Sequence, residues 1–314
     1  MGMNTTNNKF KIKDLGSILK DTFKDWNNDD AFTHAAAVSY YAIFSLPAIV
    51  IILINVAGVI FGKEAIQGEL SGNIEKMIGQ DFAGQIQTMI QNANVQSNST
   101  VMFVIGIGVL MVSATTLFMQ MQKALNRMWE VKTREDVGML KVIFDRTKTF
   151  GIIISMGFLL LISMVVTGLI SAFSEWLTRM LPDVAVYIIH IVNFIFSLGI
   201  ITCIFALIFK ILPDVRIQFR TVWVGAFVTA VLFMVAQYGL SLYFSMAKPE
   251  SAYGVAGSFI LLLLWVYYSC LLLFFGAEFT QVYALKYGHK IEPKKSAIKI
   301  EPCIPTEPHS YSTR

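Results

Sequence analysis

Charge is scarce in this chain. Of its 314 residues only 15% are Asp, Glu, Lys or Arg, well below the roughly 25% of a soluble domain, and that deficit excludes a free-standing globular protein. Histidine is scarcer still. His34, His190, His289 and His309 are the whole supply, and no two stand in an HxH or HxxxH pair. A metal-dependent nuclease needs clustered ligands to hold cations against a phosphate, so that chemistry is not expected, and neither is a bound metal or cofactor. Cysteine is nearly absent: Cys203 and Cys270 fall inside apolar runs and Cys303 lies near the C-terminus, which leaves no disulfide framework. Residues 1–34 mix five lysines with five aspartates and hold no continuous apolar core, so a cleaved signal is not expected there.

Hydrophobicity fills the space that charge leaves. Apolar residues make up 55% of the chain and mean hydropathy is +0.61. Six apolar runs, at about 35–61, 101–121, 149–173, 184–208, 222–244 and 255–279, each reach the roughly 20 residues that a bilayer-crossing helix needs. The expected fold class is therefore an all-α integral membrane protein, with six transmembrane helices in one bundle over residues 35–285. Residues 1–34 form an N-terminal segment, 62–100 an external helical pair, and 286–314 a disordered tail with Pro293, Pro302, Pro305 and Pro308 among lysines.

Lysine and arginine orient the bundle. Segments 1–34, 122–148 and 209–221 and the C-terminal end hold five, seven, three and six of them, whereas 62–100, 174–183 and 245–254 hold two, one and one. By the positive-inside rule both termini face the cytoplasm of a bacterial inner membrane. The same rule accounts for the basic loop Lys123–Lys148, which alternates with Glu130, Glu135, Asp136 and Asp145, so nucleic acid is not an expected partner.

Local patterns add detail. Ile12, Leu15, Leu19, Phe23 and Trp26 recur at helical spacing among Lys and Asp, which fits either an amphipathic helix in the headgroup region or one packed under the bundle. Asp29 or Asp30 then caps the next helix. Pro47 deprives the carbonyl of Ile43 of its donor and bends the first span, with Ser45 close enough in sequence to replace part of that bond. The bend is either a structural kink or a gate. In residues 62–100 an apolar stripe at every fourth position drifts around a straight helix, and Gly79 with Asp81 divides it into two short helices.

Polar groups inside the spans are the candidates for a pathway. Ser113, Thr116 and Gln120 form one stripe, His190, Asn193 and Ser197 a second, and Thr229, Gln237 and Ser241 a third. Such groups line wet cavities in transporters, and equally they join helices by hydrogen bonds with no conduit. Glu278, at the cytoplasmic end of the sixth run, is the foremost single candidate. It is either an interfacial carboxylate or one held inward beside Arg127 or Lys123 and suited to proton or cation coupling, with Asn126 in the same polar cluster. Gly254 and Gly257 fit close backbone approach, and Trp265, Tyr267 and Tyr268 fit core packing or a cavity wall.

Four blocks, AAAVSYYAIFSLP (Ala35–Pro47), SATTLFMQMQKALNRMW (Ser113–Trp129), KILPDVRIQFRTVWVGA (Lys210–Ala226) and YGVAGSFILLLLWVYYSCLLLFFGAEF (Tyr253–Phe279), resemble the bacterial YihY/BrkB family of six-span inner-membrane proteins in order and spacing. The motif positions include Tyr41, Ser45, Tyr253, Gly254, Gly257, Trp265 and Gly276. The resemblance implies a six-helix bundle of unsettled activity, in a family that carries labels such as virulence factor and, formerly, ribonuclease. A translocator or channel for a lipid or small solute is the leading functional expectation, with membrane lipids as partners. The competing class is a non-transporting envelope scaffold, and the two differ in whether a cavity reaches the polar stripes and Glu278.

Overall fold

The computed structural model describes residues 14–45, 100–134, 182–247, 257–287 and 290–300, together with Gly151, Ser155 and Leu159. These residues are mostly helical. Three long apolar helices dominate: α4 (Pro182–Ile211), α5 (Phe219–Ala247) and α6 (Gly257–Lys286). Each has 29 or 30 residues, so at about 1.5 Å per residue each exceeds the roughly 30 Å apolar thickness of a bilayer and projects beyond it. Within them Tyr187–Ile211, Phe219–Leu240 and Ile260–Lys286 are long and apolar enough to cross a membrane.

Packing follows chain order. α4 lies against α5 and α5 against α6, and Ala226, Ala230 and Ala277 are fully buried where backbones come close. The opposite face of α5 shows Phe219, Trp223, Phe227, Val231, Val235 and Tyr238 exposed at nearly helical spacing. A stripe that apolar is a liability in water and the ordinary outer surface of a helix in lipid. The first expected run enters as α2, helical from residue 31 to 45, and the second lies in α3 (Thr100–Met128), which continues beyond residue 121 to the Arg127 turn. Pro47 and its bend lie outside the described residues, as do the external pair 62–99 and nearly all of the run 149–173.

The N-terminal helix α1 (Leu15–Asn28) covers the expected amphipathic stretch. It packs along α6 with Ile18, Thr22 and Trp26 buried. Trp26 Nε1 donates to the carbonyl of Leu271 at 3.2 Å, Lys286 Nζ to Ser17 Oγ, and the Tyr287 hydroxyl to Asp14 at 3.3 Å. Ile18 sits among Phe279, Val282, Tyr283 and Tyr287. Phe23 nevertheless stays 60% exposed, so α1 is a strap on the bundle with an apolar flank.

Two expectations are corrected. Ser45 donates to the carbonyl of Tyr41 at 2.9 Å, one helical turn back, and Tyr41 packs against the core. That is where a helical serine hydroxyl reaches without leaving its rotamer well, so it does not take over the donor missing at Ile43. The tail expected as disordered over 286–314 is ordered at 290–300. There β3 (Glu292–Pro293) pairs antiparallel with β2 (Val215–Arg216), and β4 (Ala297–Lys299) with β1 (Val131–Thr133). Arg134 N to Ser296 O (3.0 Å), Lys294 N to Asp214 O (2.8 Å) and Ile300 N to Glu130 O (2.8 Å) extend the pairing. Proline-rich composition argued for disorder. The long-range edges offered by residues 131–133 and 215–216 outweigh it, and Ile291 and Ala297 join the core.

Candidate functional site

Where α1 and α3 finish, beside Glu278 on α6, polar groups gather in a collar. Two acidic residues with left-handed backbones shape it: Asp30 (φ 53°) ends α1 and Glu130 (φ 50°) ends α3. These sharp stops turn Asp29 toward Arg127, whose Nε lies 3.0 Å from Asp29 Oδ1. Asp30 also serves the next helix, since its carbonyl accepts from His34 N at 3.1 Å.

Glu278 on α6 is 1% exposed and has Asp29 within hydrogen-bonding reach, with Asp25 and Glu130 as the next acidic neighbours. A hydrogen bond between two carboxyl groups needs a proton on one of them. Gln281, one turn further, donates to Glu278 Oε2 at 3.2 Å and to the Met128 carbonyl when its amide nitrogen faces these acceptors. Glu278 Oε1 meets no N–H or hydroxyl donor among the described residues, and Trp129 Nε1 in the same collar meets no acceptor. Glu278 is thus buried, with no cation against it among the described residues. The cation is one residue removed: Arg127 binds Asp29, and Lys123 is exposed.

Two collar groups outside the spans have displaced proton affinities. Burial, and then the Arg127 charge, holds the His34 pKa below its ordinary value against the pull of Asp30 and Asp29. Burial raises that of Asp25; Lys24 opposes this, while Asp29 and Asp21 add to it.

Asn126 belongs to a neighbouring knot. Its amide nitrogen donates to Asp214 Oδ2 (3.2 Å) and more weakly to Thr133 Oγ1 (3.4 Å), while its oxygen accepts from Asp214 N at 2.8 Å. Thr133 Oγ1 donates to Asp214 Oδ2 at 3.0 Å, and Lys294 Nζ reaches the Pro213 carbonyl at 2.5 Å. The knot ties α3, the turn after α4 and the C-terminal strands together.

Among the described residues the stripes are not brought together. Thr116 is half-buried and returns its hydroxyl to Val112 O at 2.8 Å, Gln120 is half-buried, and Asn193 with Ser197 is exposed on α4. The His190 and Ser113 side chains and all of Tyr253 and Gly254 lie outside the described residues. Gly257 opens α6, and Thr229 is fully buried with its hydroxyl on Gly225 O at 2.7 Å. Gln237 is half-buried, and Trp265 meets Phe233 edge-on at 6.4 Å between centroids. Gly276 lies at the α5–α6 crossing. Sequence reasoning missed Asp29 as a partner of Glu278, and also Thr133, Lys294 and Gln281. The repeated LPDV at 181–184 and 212–215 was the available signal for Asp214.

Two apolar grooves open on the flanks of the helices. One, about 660 Å³, lies between α1, α5 and α6 and is lined by Phe23, Trp26, Phe32, Gly239, Tyr268 and Leu271 among others. The other, about 640 Å³, lies where α4 meets α5 and includes Cys203, Ala206, Lys210, Phe219 and Trp223 in its wall. Neither is lined by Glu278, Thr116 or Gln120. Among the described residues no three of His, Cys, Asp and Glu converge as metal ligands.

Membrane-crossing helices with apolar outer faces, gathered under a polar collar, define a multi-span membrane protein. Its family follows from comparison. The family described as Virulence factor BrkB matches residues 22–301, and the chain belongs to it. The chain is similar to the UPF0761 membrane protein of Pseudoalteromonas atlantica (strain T6c / ATCC BAA-1087), 29% identical over 243 residues, covering 76% of this chain and 77% of the relative. A UPF0761 membrane protein of Alteromonas mediterranea (strain DSM 17117 / CIP 110805 / LMG 28347 / Deep ecotype) is 26% identical over 289 residues, covering 91% and 92%. One from Yersinia pestis (strain Pestoides F) is 29% identical over 215 residues, covering 68% and 70%. No solved structure matches the chain.

Proposed function

We propose that this protein is a translocator of membrane lipid in the bacterial inner membrane, with six spans, both termini cytoplasmic and no enzymatic step. The observation that carries the reading is the apolar groove of about 660 Å³ between α1, α5 and α6. Its α5 and α6 walls belong to helices that are long and apolar enough to cross a membrane, and its apolar lining suits an acyl chain better than a hydrated solute. The strap α1 closes one end of this groove through Trp26, and the residues just after the strap hold the Asp29 contact to Arg127 and Glu278. The collar then works as the gate: the Arg127–Asp29 pair and the buried Glu278 beside it hold the strap seated, and parting them loosens it.

The test is transbilayer movement of a headgroup-labelled phospholipid in proteoliposomes, with Glu278→Gln beside the native protein at matched abundance. Movement above that of protein-free vesicles, altered in the variant, is expected; no movement in either sinks the reading. The scaffold alternative draws on the closely bonded knot around Asp214, which suits a rigid partner-binding face, and it is favoured by the second outcome.

A further inference from the structure

The second groove carries chemistry that the first lacks. Between the end of α4 and the start of α5 the chain reads KILPDVRIQFRTVW (Lys210–Trp223), with three cations and a single acid. That acid, Asp214, is buried and bonded to Asn126 and Thr133. Arg216 and Arg220 are exposed, and none of the three cations makes an ion pair among the described residues. Lys210 is set at the edge of the apolar groove. Its Nζ donates to the Ile217 carbonyl at 2.5 Å and lies 4.3 Å from the centre of the Phe219 ring, which fixes the ammonium in place and leaves donor capacity for a further acceptor. Phe219 and Trp223, 67% and 46% exposed, are one helical turn apart on the rim, and the amphipathic ring of Trp223 is of the kind enriched at headgroup depth. Below them the wall is apolar, from Cys203, Ala206, Leu207 and Val222 to Leu159.

We propose that this groove is a binding site for an anionic glycerophospholipid of the adjacent leaflet, with the phosphate among Lys210, Arg216 and Arg220 and one acyl chain along α4 and α5. Three features meet here that a free phosphate would not require together: an acyl-sized apolar cleft in membrane-crossing helices, an aromatic rim, and an excess of positive charge among the described residues, where Glu292 stands opposite Arg216 and no acid stands opposite Lys210 or Arg220 in the same stretch. The site deepens the lipid reading by naming the lipid class, but binding is measurable without transport. Each Lys or Arg near an anionic surface contributes roughly a fivefold gain, so the three together give on the order of a hundredfold preference.

The experiment is native mass spectrometry of the full chain in detergent, titrated separately with phosphatidylglycerol and phosphatidylethanolamine of the same chains, with inorganic phosphate as competitor. The variants are the triple Lys210→Gln/Arg216→Gln/Arg220→Gln and, as a control for charge alone, Lys20→Gln/Lys24→Gln on α1. Phosphatidylglycerol retained by the native protein and the control, lost by tenfold or more in the triple variant and indifferent to phosphate, is the expected result. Equal retention of both lipids, undiminished phosphatidylglycerol in a triple variant that melts like the native protein, or displacement by phosphate overturns the site. Labelled-lipid movement that persists without this selectivity would leave the translocator reading standing and remove only this site. Selective binding without movement would do the reverse.

Discussion

The hydroxyl of Thr280 on α6 occupies the space that a side chain at Gly225 on α5 would need, and Thr229 on α5 does the same at Gly276 on α6. The two pairs are reciprocal, as antiparallel helices carrying one Gly-x-x-x-Thr each require. Both threonines bond back to their own helix, Thr229 Oγ1 to Gly225 O at 2.7 Å and Thr280 Oγ1 to Gly276 O at 2.6 Å. The polar atoms are thus satisfied locally, and each hydroxyl oxygen, with its Cβ and methyl behind it, fills the space over the facing glycine. Close approach of backbones through small residues is the main attractive device between helices in lipid, where no hydrophobic driving force remains.

Substitution at this crossing is expected to be costly. A Cβ at Gly276 would fall 2.8 Å from Cβ of Thr229 and closer still to its hydroxyl, so Gly276→Ala must part the helices. A loss of about 1–3 kcal/mol is expected from overpacking, read as a lowered melting temperature in detergent. Gly199→Ala on α4, where nothing lies within 4 Å, is the control and should be neutral or slightly stabilising.

Arg127→Gln removes the cation from Asp29 while Glu278 stays beside it. Arg127 is partly exposed, so the loss is discounted to about 1–2 kcal/mol. If the Asp29–Glu278 contact is the reason for the loss, Glu278→Gln in the same chain recovers part of it, with a coupling of about 0.5–3 kcal/mol in a double-mutant cycle. Strict additivity would deny that Arg127 acts through Asp29 on Glu278.

His34 gives the collar a pH dependence of known sign. Its folded pKa lies below the unfolded value of about 6.5, so above that value both states are neutral and the full stability is present. As pH falls below it the unfolded state takes up the proton first and stability declines, until the lowered folded value is passed. Thermal melts from pH 7.5 downward should show this decline, and His34→Gln should flatten it in that window.

The ordered C-terminal strands predict a protease boundary. Cleavage in 290–300 should be slow in the native chain and faster in Asn126→Ala, because Asn126 holds Asp214, whose carbonyl receives Lys294 N at 2.8 Å. Equal cleavage in both proteins would mean that the knot does not secure these strands.

What was legible in the sequence was what hydropathy and local spacing carry. Three of the six expected runs reappear as α4, α5 and α6, with ends displaced by several residues because a helix does not stop where its apolar stretch does: α6 runs on to Lys286 under the cover of α1. Glu278 stood out as a carboxylate at the edge of an apolar run. Its partner did not, since Asp29 is brought there only by the packing of α1 on α6 and the tight turn at Asp30, and no local pattern encodes that contact. The strands at 292–299 were invisible for the same reason, since two- and three-residue strands have no periodicity and depend wholly on the edges that receive them.

Occupation of the groove between α1, α5 and α6 by lipid is tested most directly by filling that groove. Gly239 lines it and has nothing within 4 Å of where a Cβ would stand, so Gly239→Phe fits without disturbing the helix contacts. Movement of headgroup-labelled phospholipid in proteoliposomes should fall at least about tenfold in this variant while its melting temperature stays near that of the native protein, as an obstructed path costing 1.4 kcal/mol or more requires. Undiminished movement in a well-folded Gly239→Phe protein would contradict the account.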